Sequence, residues 1–130
     1  MERCATLRAK SRSALVAVSF ALGATSAFGQ DPAKIDPSIY KCTLENERIR
    51  LCEVTFKPGA KIALHSHPDR VIYAVGAGTL SVAGPDGKMK DYVYEPGQAF
   101  WFTASSHSAV NNGTTEVKLV MVELKPPVKK

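Results

Sequence analysis

Three histidines, His65, His67 and His107, are the only ones in this 130-residue chain, and their spacing suits a single metal site. His65 and His67 form a His-x-His pair within Leu64-His65-Ser66-His67, a run with strand character. Alternate residues of a strand project to one face, so the pair points the same way. A third imidazole from a distant strand, His107, then completes one face of a coordination shell. Three protein ligands with positions left open for water or substrate is the pattern of a catalytic metal centre. Without a carboxylate ligand, a divalent ion there keeps its full charge, attracts an anionic substrate and acidifies bound water. Imidazole ligands alone do not choose the metal: Fe, Mn, Ni and Zn all remain open.

Short strands punctuated by turns must position these rings. Residues 39–44, 49–54 and 53–56 have strand composition, and Lys57-Pro58-Gly59-Ala60 closes the last of them. Residues 71–75 break at Gly76-Ala77-Gly78, and 79–82 break at Gly84-Pro85-Asp86-Gly87. The Asp-Gly step there supplies the conformations that hairpin turns need. Residues 90–94, 98–102 and 117–124 are further strands, separated by turns at 95–97 and 111–113. No segment after Gln30 carries a helical period over ten residues. Regularly spaced strands with turn signals predict an all-β barrel or sandwich.

The two ends are set apart from this domain. Arg3, Arg8, Lys10 and Arg12 precede an uncharged, mostly apolar run at 14–22 and small residues leading to Ala27-Phe28-Gly29. That order predicts a signal peptide over residues 1–29, hence an exported, periplasmic or secreted protein. Residues 30–39 form a Pro-interrupted lead-in, residues 40–124 the barrel, and 125–130 a fraying tail. Four of the 17 basic and one of the 12 acidic residues lie within the first 29, which leaves 13 against 11, a net of +2. Those charges are scattered, so nucleic-acid binding lacks its electrostatic footprint, and no membrane contact is expected once the signal is cleaved. Cys42 and Cys52 remain after Cys4 is removed, and an even count in an exported chain favours a disulfide. A hairpin with a three-residue loop at 46–48 would place them opposite each other. A two-residue turn would not.

On these residues the chain resembles a small single-domain cupin. Gly59, His65, His67 and Gly78 fall in register with the first cupin motif, and Gly97, His107 and Asn111 match the ends of the second. The resemblance implies a double-stranded β-helix (jelly-roll) barrel and a homodimer paired through edge strands. Residues 44–50 and 65–69 are also similar to a cupin subgroup associated with β-alanine degradation. Two departures stand out. The acidic fourth ligand of the first motif falls on Val71, which cannot bind metal, and its acidic neighbour Asp69 is better suited to a solvated loop. Thr103-Ala104-Ser105-Ser106 stands where the second motif has Pro-x-Gly, so the loop placing His107 differs in shape.

Tyr73 shares the parity of His65, His67 and Val71 and is expected to face inward, where its hydroxyl would need a partner. Arg70, if it leans into the barrel mouth, suits a carboxylate-bearing ligand; a solvated rim position is the other reading. Alternation sends Trp101 to one face and Phe100 and Phe102 to the other, with ordinary barrel core the default reading for such residues. No nucleophile elbow, phosphate-cradling glycine loop or acid/base carboxylate pair is present. The sequence therefore supports an exported metal-dependent cupin acting on a small, acidic organic molecule, with dioxygenase and isomerase chemistry both open. In that reading His65, His67 and His107 hold the metal while Tyr73 and Arg70 orient substrate. The alternative is a non-catalytic module that binds a small ligand in the same barrel.

Overall fold

The computed structural model describes residues 30–127; the expected signal peptide lies outside the described residues. A four-residue helix, α1 (Pro32–Ile35), precedes nine strands. These are β1 (Tyr40–Glu45), β2 (Ile49–Phe56), β3 (Lys61–His67), β4 (Arg70–Ala74), β5 (Gly78–Ala83), β6 (Met89–Tyr94), β7 (Ala99–Phe102), β8 (Ser105–Val110) and β9 (Val117–Leu124). They form a five-stranded sheet in the order β1-β2-β9-β4-β7 and a four-stranded sheet in the order β3-β8-β5-β6, with every pairing antiparallel. The inner faces close on a core that includes Val54, Phe56, Ile62, Leu80, Leu119 and Met121. Among the described residues no helix is long and apolar enough to cross a membrane.

The alternation of β3 decides where the histidines point. Lys61 is exposed and Ile62 buried, then Ala63 and Leu64 are both exposed, and His65 and His67 are buried. Across the ladder, Ile62 faces Ala109 and His65 faces His107. Three steps along β3 thus match two along β8, the signature of a β-bulge, in which one strand carries an extra residue. The bulge reverses the phase of alternation, so Ile62 on one side of it and both histidines on the other face inward.

The hairpin of β1 and β2 holds the disulfide by a route that differs from the expected one. Its turn is a two-residue one, closed by the bond from the Asn46 N–H to the Ile49 carbonyl, and Glu45 faces Arg50. That register alone would set Cys42 against Glu53. A second irregularity between Cys42 and Leu44 shifts the ladder by one residue, and Cys42 comes to face Cys52, to which it is bonded.

Gly78, read from sequence as a turn former, is instead required by packing. A Cβ there would lie 2.5 Å from Cγ2 of Val117, a side chain locked in the core.

Tyr73 and Val71 do not face inward. Pro68 and Asp69 end β3, and β4 belongs to the opposite sheet, so the parity of the histidines does not carry across. Arg70, Ile72 and Ala74 are buried, while Val71 and Tyr73 lie on the outer surface, Tyr73 about half exposed. Trp101 is likewise outside rather than in the core, with Phe100 and Phe102 turned inward. His107 lies on a strand, as expected, and that strand is β8, for which the serine-rich sequence around it gives no signal of its own.

Candidate metal centre

The β3–β8 ladder sets His65 directly opposite His107, and His67 lies one full pleat further along the same face. Ring centroids are 4.6 Å apart for His65–His107, 4.8 Å for His65–His67 and 5.1 Å for His67–His107. One ligating nitrogen from each lies within 4.8 Å of the others. His65 and His67 are buried and His107 half-buried.

Hydrogen bonds on the far side of two rings fix their tautomers. His65 Nδ1 is 2.7 Å from the Ala63 carbonyl oxygen, and His67 Nδ1 is 2.6 Å from Oε1 of Glu123. Both partners only accept, so each Nδ1 carries the proton and each Nε2 presents a lone pair. This arrangement, with one nitrogen of a ring donating to an oxygen and the other free to ligate, is how metal-binding histidines are oriented. The donor set therefore fits a divalent metal ion. The Tyr40 hydroxyl stands 3.5 Å from His65 Nε2, a long contact.

Burial keeps the rings neutral. It lowers the pKa of His65 from the ordinary 6.5 to about 4. Burial and then the neighbouring histidines lower that of His107 to about 3. His67 is also lowered, burial outweighing the pull of Glu123. Glu123 is buried too, which alone would raise its pKa. Bonds from His67 and Arg50 outweigh that and hold it below the usual carboxylate range. The contact between them is thus a neutral imidazole donating to an ionised carboxylate.

Glu123 belongs to a partly buried network that sequence reasoning missed. Arg50 donates from Nε to Oε2 of Glu123 at 2.8 Å, and its Nη2 forms an ion pair with the same oxygen at 2.7 Å. Through Nη1 and Nη2 it also grips Asp31, at 2.8 and 3.0 Å. Asp31 in turn caps α1 by accepting from the Ala33 N–H. The line Asp31–Arg50–Glu123–His67 thus runs from the lead-in segment to a candidate ligand. The one available sequence signal was Glu123 itself, an acidic residue among the otherwise apolar inward positions of β9.

A cavity of about 290 Å³ opens beside the centre, lined among others by His67, His107, Arg70, Tyr92, Tyr94 and Phe102. That is the small end of the range for ligand pockets. Arg70, for which a rim position was one reading, is buried, with its guanidinium over the Phe102 ring. Val71 is turned away from the cavity. Asp69 is exposed and accepts from the Ala104 N–H at 2.7 Å, so it adds no ligand. Asn111 of the second motif is structural: its side chain donates to the Phe56 and Thr115 carbonyls and accepts from the Gly113 N–H.

Comparison with known proteins agrees with this fold. Residues 52–123 match the cupin domain family, more than half of the chain. A cupin domain from Bordetella pertussis superposes with a TM-score of 0.63 at 27% identity, covering 68% of this chain and 93% of that one. A Klebsiella pneumoniae protein with a double-stranded β-helix domain gives 0.55 at 21% identity, over 66% and 75% of the two chains. A cupin family protein with the same fold from Methanocaldococcus jannaschii gives 0.54 at 10% identity, over 66% and 78%. No curated protein matches the chain.

Two predictions follow from the neutral rings and their outer partners. An unfolded histidine takes up a proton near pH 6.5, whereas the buried rings resist until about pH 4 or below. Stability of the metal-free protein is therefore full above about pH 6.5 and falls as pH drops from 6.5 to 5, by up to about 1.4 kcal/mol per pH unit for each histidine. Urea midpoints measured at those pH values report it, and a flat profile contradicts neutral burial. Replacing Glu123 by Gln removes the charge behind His67 and is expected to weaken metal binding by about 10- to 100-fold in chelator competition. Unchanged affinity in a folded E123Q variant would remove the carboxylate from the account.

Proposed function

The chain belongs to the cupin domain family, and from that premise we propose an exported, divalent-metal-dependent cupin acting on a small organic anion. The observation that carries this reading is the convergence of three neutral imidazoles beside a cavity that also holds a buried guanidinium. His65, His67 and His107 would hold the ion, which supplies Lewis acidity and open coordination positions when bound. The chain's own groups do the rest. Ala63 and Glu123 hold two rings in the ligating tautomer. Arg70 orients the anion, and the aromatic and aliphatic walls exclude water, which strengthens every charge interaction inside. Dioxygenase- and isomerase-type reactions both suit a three-histidine centre with room for substrate next to it. Export is supported by the Cys42–Cys52 disulfide, since such bonds persist in oxidising compartments.

Support for a homodimer comes from a sheet face rather than from the edge strands. Leu44, Leu51, Val122, Val71 and Trp101 are successive cross-strand partners, one row of apolar side chains across the outside of the five-stranded sheet. Leu44, Val71 and Trp101 are all exposed, with Tyr73 beside them. Contiguous exposed apolar surface of this kind marks association sites.

Elemental analysis of tag-free protein tests the metal reading. Near-stoichiometric metal, lost on chelation and in a folded His107→Ala variant, is the expected result. Equal metal content in both proteins, or none in either, contradicts it. Oxygen uptake or substrate turnover by the loaded protein separates enzyme from passive binder. For the assembly, light scattering on the wild type should give a dimer and Trp101→Glu a monomer; a monomeric wild type defeats that part.

A further inference from the structure

Arg70 is a buried cation without a counterion. Its side chain is almost completely enclosed, at 3% exposure, yet no carboxylate lies within ion-pair distance of it among the described residues. Nη1 carries all of its recorded hydrogen bonds, to the Pro68 carbonyl at 3.4 Å, the Thr103 carbonyl at 3.3 Å and Ser105 Oγ at 3.3 Å. All three are long for N–H donors. Nε is buried with no acceptor at all. Glu123 is its cross-strand neighbour but is taken up by His67 and Arg50. A buried charge left in this state is costly unless something pairs with it.

The cavity walls show which charge is missing. Three cationic side chains, Arg70, Lys88 and Lys90, are among the lining residues, and none of the lining residues is acidic. Lys90 sits over the Tyr92 ring, and Tyr92 packs edge-on against Phe102, the ring beneath Arg70. One wall is therefore aromatic, two rings meeting edge to face, with the Arg70 guanidinium over one ring and the Lys90 ammonium over the other.

We propose that Arg70 is the anchor for the carboxylate of a small organic acid whose body lies against Tyr92 and Phe102. Guanidinium and carboxylate match as planar two-point partners, and charge-assisted pairs of this kind are stronger than the long neutral contacts Nη1 now makes. The alternative role, tying the Pro68 and Thr103 backbone together, would need neither an enclosed charge nor a bare Nε. This inference deepens the functional reading above by naming the substrate class. It rests on that reading's cavity but not on its metal, so it is tested on metal-free protein.

The experiment titrates EDTA-treated wild type, Arg70→Met and Arg70→Lys with benzoate, its neutral isostere benzamide and inorganic phosphate, at fixed ionic strength. Calorimetry and thermal midpoints are the readouts. Benzoate should bind and stabilise the wild type while benzamide does not. Its affinity should fall about tenfold or more in R70M, and also in R70K, which keeps the charge but loses the fork. R70M without ligand should melt no lower than the wild type, because it sheds an unpaired buried charge. R70K keeps the test decisive should R70M fail to fold. The proposal is overturned by equal responses to benzoate and benzamide, by unchanged benzoate affinity in R70K, by phosphate binding in preference to benzoate, or by a wild type that responds to none. Loss of metal binding with intact benzoate binding would sink the metal reading alone.

Discussion

The candidate centre depends on one extra residue in β3. Without the bulge between Ile62 and His65, strict alternation from Ile62 would send His65 and His67 to the outside of the barrel. With it, the core residue and both imidazoles share the inner face, and His107 meets them across the ladder. Bulges commonly stand next to functional sites for this reason: they re-aim side chains without breaking the sheet. The extra residue is accommodated by leaving Ala63 and Leu64 both on the surface.

Charge is distributed around that geometry in an unusual way. The position at which the family pattern calls for an acidic ligand is Val71, on the outer face. The nearest buried carboxylate, Glu123, stands one hydrogen bond behind His67 and is itself held by Arg50 and Asp31. A negative charge one layer back still orients the imidazole and raises its basicity, while an ion held only by neutral rings keeps its charge toward the cavity. The same cavity contains an unpaired guanidinium and two lysines. Both features place positive charge at the pocket, which is the basis of the proposed preference for anions.

The histidine set was legible in the sequence because ligand chemistry and spacing coincide at His65, His67 and His107. Turn signals at residues 57–60, 84–87 and 95–97 were legible because Gly, Pro and Asp have few other uses there. Irregularities were not legible. The pairing of Cys42 with Cys52 follows from a two-residue turn plus a bulge, which gives the same partners as the three-residue loop that was expected. Tyr73 was placed inward by counting parity through Pro68 and Asp69, where the chain in fact leaves one sheet for the other. β8 was missed because Ser105, Ser106 and Ser108 interrupt any apolar period. Glu123, 56 residues from His67, belongs to a network that exists only once β2 and β9 are side by side and β3 is packed against them.

X-ray absorption at the metal edge of the loaded protein tests the central claim most directly, because it counts the imidazoles around the ion. The account predicts a first shell of nitrogen and oxygen with the multiple-scattering pattern of three imidazole rings and no sulfur. It predicts one ring fewer after replacement of His107. A shell with a single imidazole, or one containing sulfur, would contradict it.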